Sequence, residues 1–534
     1  MDAPDGRRVV HARGRLRVGR SRSHATRRIL LVARERLSRA SRHRHRVQPI
    51  RAHRQRPTRE YLRHRQKTVH LGSAAHADTA TGTRTVRPAL TALTQLLSRA
   101  MSESATWPAP RTAWYAVLVL NVAYLFSYLD RQILSMLVGP IKADLALDDT
   151  QVSLLHGLAF AICYTVLGVW PIGHWADTGN RRNIVAGGVF LWSAMTALCG
   201  RASSYAGLFL ARVGVGVGEA ALTPVAYSLL ADLFPPERRN RALGLFSMGI
   251  YFGIGAATMV TGLLVQAIGS SPTVELPLLG EVRSWQAPFL LLGPPGLLVA
   301  LWMLTVPEPA RIGSDAAPSP PFAAVLAQVR SQPGFYLLHT FGVSLLTMLF
   351  NALAFWMPAH LKRVHHLEPV QIAFSFGPIM IIGGSLGIVA GGLLADRWRK
   401  RGLLDAELRV GITSASCLLP FALATFLTTN TELALALMGP MLFFSSFPFG
   451  AAASAIQLVT PNRLRARVSA LYLLVINLTG IGFGATAAAL VSDHVLHDEN
   501  RIGDGVAWVA AVGLPLAALL LYAARRHYRA MQTR

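Results

Sequence analysis

Charged residues are scarce in this 534-residue chain: they make up 15% of it, against about 25% in typical soluble proteins. Hydrophobic residues make up 52%, and the mean hydropathy is +0.37. The apolar residues are grouped in stretches of roughly 20, the length of helix that crosses a bilayer. The composition therefore favours a membrane protein and argues against a soluble enzyme.

Cysteine is also rare, and its three positions (Cys163, Cys199 and Cys417) all fall within apolar stretches. No disulfide framework and no metal-binding spacing follows from them. The sequence also offers no His/Asp/Glu cluster and no activated nucleophile. We therefore expect no metal and no cofactor, and a membrane-embedded enzyme is disfavoured.

Acidic residues are almost missing from the N-terminal region. Residues 1–100 contain 25 Lys+Arg and 5 Asp+Glu, whereas the other 434 residues contain 28 and 22. The region has neither a membrane span nor a secretory signal. We interpret it as a basic, disordered extension created by a start site assigned upstream of Met101. A functional arm or an organelle transit peptide is the alternative, and we expect no nucleic-acid partner.

Twelve apolar segments follow, numbered here as spans 1 to 12. The linker 307–334 is rich in proline and divides them into six plus six. We therefore predict an all-α integral membrane protein with one half at 101–306 and the other at 335–534. The spans lie near 113–139, 150–173, 184–200, 205–231, 242–268, 286–306, 335–359, 371–395, 410–428, 433–459, 468–492 and 506–524.

Basic residues are unevenly distributed between the short loops. The loops after spans 2, 4, 8 and 10 carry 12 Lys and Arg residues, and the loops after the odd-numbered spans carry 6. Positive loops stay in the cytoplasm. Both ends of the membrane part are thus predicted to be cytoplasmic, in a plasma membrane or bacterial inner membrane.

The loops after spans 2 and 8 repeat one pattern at an offset of 219 residues: a glycine, an aspartate four residues later, and two basic residues four and five residues after the aspartate. Glycine lets two helix ends approach closely, and the aspartate can pair with a basic residue or a helix N-terminus. Two related halves with a site between them are a common plan of secondary transporters. The predicted gating residues are Gly173, Asp177, Arg181 and Arg182 in the first loop and Gly392, Asp396, Lys400 and Arg401 in the second.

With these loops, the chain resembles the major facilitator superfamily across 101–534. Its first half is similar to the spinster family of lipid-type transporters and their bacterial relatives. The resemblance implies a twelve-helix transporter whose matching acidic and basic residues act in coupling and substrate handling. The motifs that carry it are Tyr128-Leu-Asp130-Arg131, Arg212 to Ala220, Ala231-Asp232-Leu-Phe and Val306-Pro-Glu308-Pro309-Ala-Arg311.

Four ionisable residues lie within spans 1 and 4: Asp130, Arg131, Arg212 and Glu219. A charge at mid-bilayer costs at least about 2.5–3.5 kcal/mol, so each needs a partner or a function. Counting along the helices places Asp130 about 15 Å, Arg212 about 10 Å and Glu219 about 21 Å from the outer end. These depths allow two pairs, Asp130 with Arg212 and Arg131 with Glu219.

Each charge suggests a role. A carboxylate in a low-dielectric cavity can take up and release a proton, so Asp130 and Glu219 are the predicted proton-coupling residues. A buried arginine binds carboxylate or phosphate, so Arg131 is predicted to grip an anion and Arg212 to orient it. Tyr128 and Asn351 complete the predicted substrate site, in part because spans 7 to 12 offer only neutral polar residues. A static salt-bridge network is the alternative.

The sequence thus predicts a monomeric, proton-coupled secondary transporter that works by alternating access. Its substrate would be a small organic anion or a lysolipid-like amphiphile. A multidrug/proton antiporter is the first alternative, although span 5 lacks the Gly-Pro pair usual in that group. A transport-inactive sensor is the second. His156 and His339 are expected to pack near span ends and not to relay protons.

Overall fold

The computed structural model describes residues 107–532 apart from 170–171, 173–174, 176–178, 270, 278, 312–321 and 462. The predicted extension 1–100 lies outside the described residues. The described chain is almost entirely helical, and ten of its helical segments are long and apolar enough to cross a membrane. The prediction of an all-α, multi-pass membrane protein is confirmed.

The helices follow the order of the predicted spans. Span 6 is a shorter apolar helix, and Gly157 divides span 2. In the first half the helices are Pro110–Met136 (span 1), Val138–Leu145, Asp149–His156 and Leu158–Val169 (span 2), Arg181–Cys199 (span 3), Tyr205–Glu219 and Leu222–Leu233 (span 4), Pro236–Ile268 (span 5) and Ala287–Met303 (span 6).

A linker helix, Phe322–Ser331, precedes the second half. Spans 8 and 11 each include a π-helical turn, at Met380–Gly384 and Ser492–Leu496. The helices are Pro333–Arg363 (span 7), Pro369–Ile379 and Ser385–Lys400 (span 8), Ala406–Leu427 (span 9), Thr431–Ser446 and Phe449–Val459 (span 10), Arg465–Val491 (span 11) and Ile502–Gln532 (span 12).

A small β-hairpin after span 5 was not predicted. Strands β1 (Thr273–Leu276) and β2 (Gly280–Arg283) pair antiparallel, and their apolar residues pack on the start of span 6. Gly280 has φ 73°, a conformation that favours glycine at the turn. The end of the bundle that carries this hairpin is named the hairpin end. The opposite end, which carries the described linker residues 307–311 and 322–334, is named the linker end.

The buried apolar residues show where the two halves meet. One cluster fills the second half and continues into the hairpin ends of spans 1, 2 and 4, through residues such as Leu134, Leu155 and Leu208. A separate cluster, which includes Trp192 and Phe246, fills the linker side of the first half. The halves therefore share a continuous core at the hairpin end.

Two glycine contacts allow this close approach. A Cβ atom on Gly157 of span 2 would lie 2.5 Å from the carbonyl oxygen of Gly482 in span 11. A Cβ atom on Gly255 of span 5 would lie 2.4 Å from the carbonyl oxygen of Gly377 in span 8. Both neighbours are backbone atoms, so a side chain at either glycine would push the two halves apart.

We expect Gly157→Ala to shift the protein away from the conformation described here. Overpacking costs about 1–3 kcal/mol, which would change the ratio of conformations roughly 5- to 150-fold. The measurement is the distance between spin labels at Ser203→Cys and Thr429→Cys, two exposed hairpin-end positions, in a background without native cysteines. Gly439→Ala is the control, because a Cβ there meets nothing within 4 Å. Identical distance distributions in both variants would contradict the expectation.

Candidate functional site

A cavity of about 370 Å³ lies between the two halves. Tyr128, Arg131 and Asn351, which were predicted to bind substrate, all line it. Most of the remaining wall is apolar or aromatic. It includes Phe160, Tyr227, Ile250, Tyr251, Ile254, Phe350, Phe355, Ile388, Phe449, Tyr472, Leu473 and Ile476.

Arg131 and Glu219 form an ion pair at this cavity. Arg131 Nη2 and Nε donate to Glu219 Oε2 at 2.5 and 3.1 Å, and Ser127 Oγ donates to the same oxygen. Glu219 is 1% exposed, and its other oxygen, Oε1, has no hydrogen-bond partner among the described residues. The predicted pairing is confirmed, and one carboxylate oxygen remains available to a proton or a donor.

Three aromatic rings surround the guanidinium of Arg131. Its Cζ atom lies 4.3 Å from the ring centroid of Phe160, 5.0 Å from that of Tyr128 and 5.6 Å from that of Tyr164. Cation–π contacts of this kind stabilise a desolvated arginine without neutralising it. The arginine is therefore fixed in place while its positive charge still acts on the cavity.

Asp130 and Arg212 are buried but do not pair as predicted. Arg212 Nη1 donates to the backbone oxygen of Asp130 at 3.1 Å, and its Nε to the backbone oxygen of Leu155 at 3.4 Å. No ion pair joins the two side chains in the part of the chain that the structure describes. The prediction was wrong because a depth along a helix does not fix the direction in which a side chain points. Neither residue lines the cavity.

The second half contributes a neutral wall. Asn351 lines the cavity, and its Nδ2 donates to the backbone oxygen of Thr347 at 2.9 Å. Thr347 and Asn477 also line the cavity. The charged lining residue therefore belongs to the first half, and the second half contributes only neutral residues to the described lining, as the distribution of residues predicted.

An unpredicted ion cluster joins the two halves at the hairpin end. Asp149, which is fully buried, accepts from Lys142 at 2.5 Å and from Arg363 of span 7 at 2.5 and 2.8 Å. Lys142 also pairs with Glu499 at 2.7 Å. These four residues are named the hairpin-end latch. From the sequence we counted Lys142 and Arg363 only among the basic residues of the loops, because nothing local shows that distant loops meet.

A second contact across the halves lies beside the latch. Asp493 of span 11 accepts from the backbone nitrogen and the hydroxyl of Thr150, both at 2.7 Å. It therefore caps the N-terminus of the first helix of span 2, where a negative charge is favourable. One turn further, Ser153 bonds Thr486 at 3.1 Å. Span 2 is thus tied to span 11 from the latch down to Gly157.

At the linker end the ion pairs stay within one half or join it to the linker. Arg181 is fully buried and binds Asp232 and Glu308, the latter at 2.7 Å. Asp232 and Glu308 belong to motifs that carried the family resemblance. Among the described residues, no ion pair joins the two halves at this end. The ion pairs that join the two halves in the described part of the chain therefore lie at the hairpin end.

A second single-half cluster surrounds Asp405. It accepts from Arg409 at 2.9 Å, from Arg529 at 2.7 Å and from Arg525. Burial raises the pKa of Asp405, but hydrogen bonds from Arg529, Arg525 and Arg409 outweigh burial and hold that pKa well below its ordinary value. The cluster fixes span 12 to the start of span 9.

The other predicted gating residues are only partly described. Gly173 and Asp177 lie outside the described residues. The backbone nitrogen of Arg182 donates to Glu308 at 3.0 Å. Asp396, Lys400 and Arg401 are exposed, and a Cβ on Gly392 would meet nothing within 4 Å. Their gating role stays a prediction, and Arg181 has the most extensive contacts of the set.

Comparisons with known proteins agree with this architecture. The sequence model of the Major Facilitator Superfamily matches residues 120–485. An MFS-type efflux pump of Mycolicibacterium smegmatis is 29% identical over 79% of this chain and 94% of its own length. A probable L-galactonate transporter of Escherichia coli is 24% identical over 67% of this chain and 78% of its own length.

Among solved structures, this chain is similar to a bacterial homolog of the human lysosomal transporter spinster. That crystal structure is in an inward-facing and unoccupied conformation. The similarity has a TM-score of 0.66 at 25% identity and covers 79% of this chain and 99% of the other.

Proposed function

Since the chain belongs to the Major Facilitator Superfamily and is a spinster-like transporter rather than an enzyme, we propose that it moves an organic anion together with a proton by alternating access. The observation that carries this proposal is the Arg131–Glu219 pair on the cavity wall. One side chain can hold the negative group of a substrate, and the other can hold a proton.

The pair suggests how the proton and the anion are coupled. While Glu219 is ionised, it occupies the Nε and Nη2 donors of Arg131. A proton on Glu219 weakens that pair and frees the guanidinium for a substrate oxyanion. The anion and the proton then bind together, and the site as a whole gains no charge. Asp130 and Arg212, buried behind the pair, are proposed to stabilise it and to serve as a second proton site.

The proposed orientation places the linker end in the cytoplasm. The basic loops after spans 2, 4, 8 and 10 support it. The described conformation is then inward-facing, with the latch closed toward the outside. The inward-facing state of the spinster homolog is consistent with this assignment.

The cavity wall supports an amphiphilic substrate. Among the described residues that line the cavity, Arg131 supplies the only positive charge, and most of the others are apolar or aromatic. A head group at Arg131 would leave a hydrocarbon chain against Ile250, Ile254 and Ile476. The L-galactonate relative favours a smaller organic anion at the same arginine. Both substrates share an oxyanion head.

Efflux of a cationic drug is a second candidate, supported by the efflux-pump relative. In that function Glu219 would bind the drug and release its proton. Counterflow in proteoliposomes separates the two: lysophosphatidate, glucuronate and carboxylates are compared with ethidium and other organic cations. Exchange of anions alone supports our proposal, and exchange of cations alone would overturn it. No exchange of any compound would favour the transport-inactive sensor.

We expect Asp149→Asn to open the hairpin end. Without this carboxylate, Lys142 and Arg363 remain partly buried without their shared partner, and breaking such a cluster costs about 3–5 kcal/mol. The measurement is labelling of Ala354→Cys, a cavity-lining position, by an impermeant maleimide applied from the outside. Labelling should become at least tenfold faster.

Asp144→Asn is the matched control. Asp144 also lies at the hairpin end and pairs with Arg283 at 2.5 Å, but both residues belong to the first half. Its loss should leave labelling unchanged. Equal labelling rates in the wild type and Asp149→Asn would show that the latch does not hold the halves together.

A further inference from the structure

His156 lies where the two halves meet beside the central cavity. It ends the first helix of span 2, next to Gly157 and its contact with span 11. Its ring stacks on Phe355 of span 7, with 4.1 Å between ring centroids. The side chain is 7% exposed and lines the central cavity together with Arg131. Its placement differs from the packing role expected near a span end.

One ring nitrogen of His156 is left without a partner. Its Nδ1 atom is buried and makes no hydrogen bond to any described residue. A buried polar atom is unfavourable unless it gains a hydrogen bond, and packing alone would be served by phenylalanine. His339 differs, because it bonds the backbone oxygen of Ala452 at 3.0 Å and does not line the cavity.

The charges that act on His156 are those of two arginines, one of which is paired with Glu219. Arg131 of span 1 and Arg212 of span 4 act on the ring electrostatically. Span 7 presents Phe355, and span 11 presents backbone carbonyl groups beside Gly157. A neutral imidazole has one N–H donor to offer. A donor-bearing surface beside Arg131 fits a ligand with several acceptor oxygens.

We propose that His156 is a specificity-determining residue that donates a hydrogen bond to a second oxygen of the oxyanion held by Arg131. The inference rests on the proposed function and adds a substrate requirement: a carboxylate, phosphate, sulfate or sulfonate head with at least two acceptor oxygens. Phe160 supports this geometry, because it contacts Arg131 and follows His156 by four residues in span 2. The stack on Phe355 would keep the imidazole in place only while the hairpin end is closed.

The test compares two soluble amphiphiles with the same chain and opposite heads, decanesulfonate and decyltrimethylammonium. Their affinities are measured for the protein in lipid nanodiscs. His156→Phe keeps the stacking surface and removes the donor, and His156→Gln keeps a donor. We expect His156→Phe to weaken decanesulfonate binding at least tenfold, since a hydrogen bond to a charged group contributes about 1.5–3 kcal/mol. Decyltrimethylammonium binding should not change, and His156→Gln should restore most of the anion affinity.

The outcomes separate this inference from the function on which it rests. If the wild type prefers decanesulfonate and His156→Phe keeps that affinity, His156 has no such role and the proposed function stands. If the wild type binds both amphiphiles equally, both fail. An equal loss of affinity for both amphiphiles in His156→Phe would show that His156 has only a packing role. If His156→Phe does not fold, His156→Leu replaces it in the same comparison.

Discussion

Replacing Arg131 with glutamine is expected to abolish transport of anionic substrates. The change removes the positive charge that lines the cavity and leaves Glu219 buried without its partner. Truncating one member of a buried charged pair typically costs about 2–5 kcal/mol. A 100-fold loss of affinity corresponds to about 2.7 kcal/mol of binding free energy. We therefore expect at least a 100-fold weaker affinity for decanesulfonate in nanodiscs and no measurable anion counterflow in proteoliposomes.

Two further variants make this result specific. Arg131→Lys keeps the charge but loses the planar fork of donors, so its affinity should lie between the wild type and Arg131→Gln. Arg201→Gln removes an exposed arginine of the loop after span 3 and should bind like the wild type. Full anion transport by a folded Arg131→Gln protein would remove the basis of the proposed site.

Glu219→Gln is expected to uncouple transport from protons. Glutamine can still accept hydrogen bonds from Ser127 and Arg131, but it cannot bind or release a proton. With coupling of one proton to one anion, a gradient of one pH unit supports about tenfold accumulation. The variant should accumulate no substrate above its external concentration, while anion counterflow, which needs no net proton movement, persists.

The control for this variant is Glu281→Gln, an exposed carboxylate on β2. It should accumulate substrate like the wild type. Asp130→Asn tests the second proposed proton site in the same assay. A partial loss of substrate accumulation in this variant would show that both acids take part in proton coupling. Accumulation by Glu219→Gln equal to that of the wild type would assign the carboxylate to a static salt bridge.

Much of the fold could be predicted from the sequence, because a bilayer imposes simple rules on apolar length and charge. The spans begin and end within a few residues of their predicted limits for most helices. The hairpin at Thr273–Arg283 was missed, since it is short and lies in a loop that reads as polar. The division of span 2 at Gly157, where this residue packs against Gly482 of span 11, was also missed.

The candidate site was predicted in part for a similar reason. Arg131 and Glu219 stand out because charges are rare within spans, and their depths match. Asp130 and Arg212 stand out equally. The direction of their side chains depends on how each helix is rotated about its axis, and sequence spacing alone did not give that rotation. His156 and the latch residue Asp149 carry no local signal, because their partners Phe355 and Arg363 lie in the other half of the chain.

The central claim is that one proton and one anion bind together at the Arg131–Glu219 pair. The most direct test is the number of protons taken up when decanesulfonate, whose head group does not titrate, binds the protein in nanodiscs near neutral pH. Calorimetry in buffers of different ionisation enthalpy measures that number. We predict uptake of about one proton by the wild type and none by Glu219→Gln, as linkage requires. Anion binding to the wild type without proton uptake would contradict it.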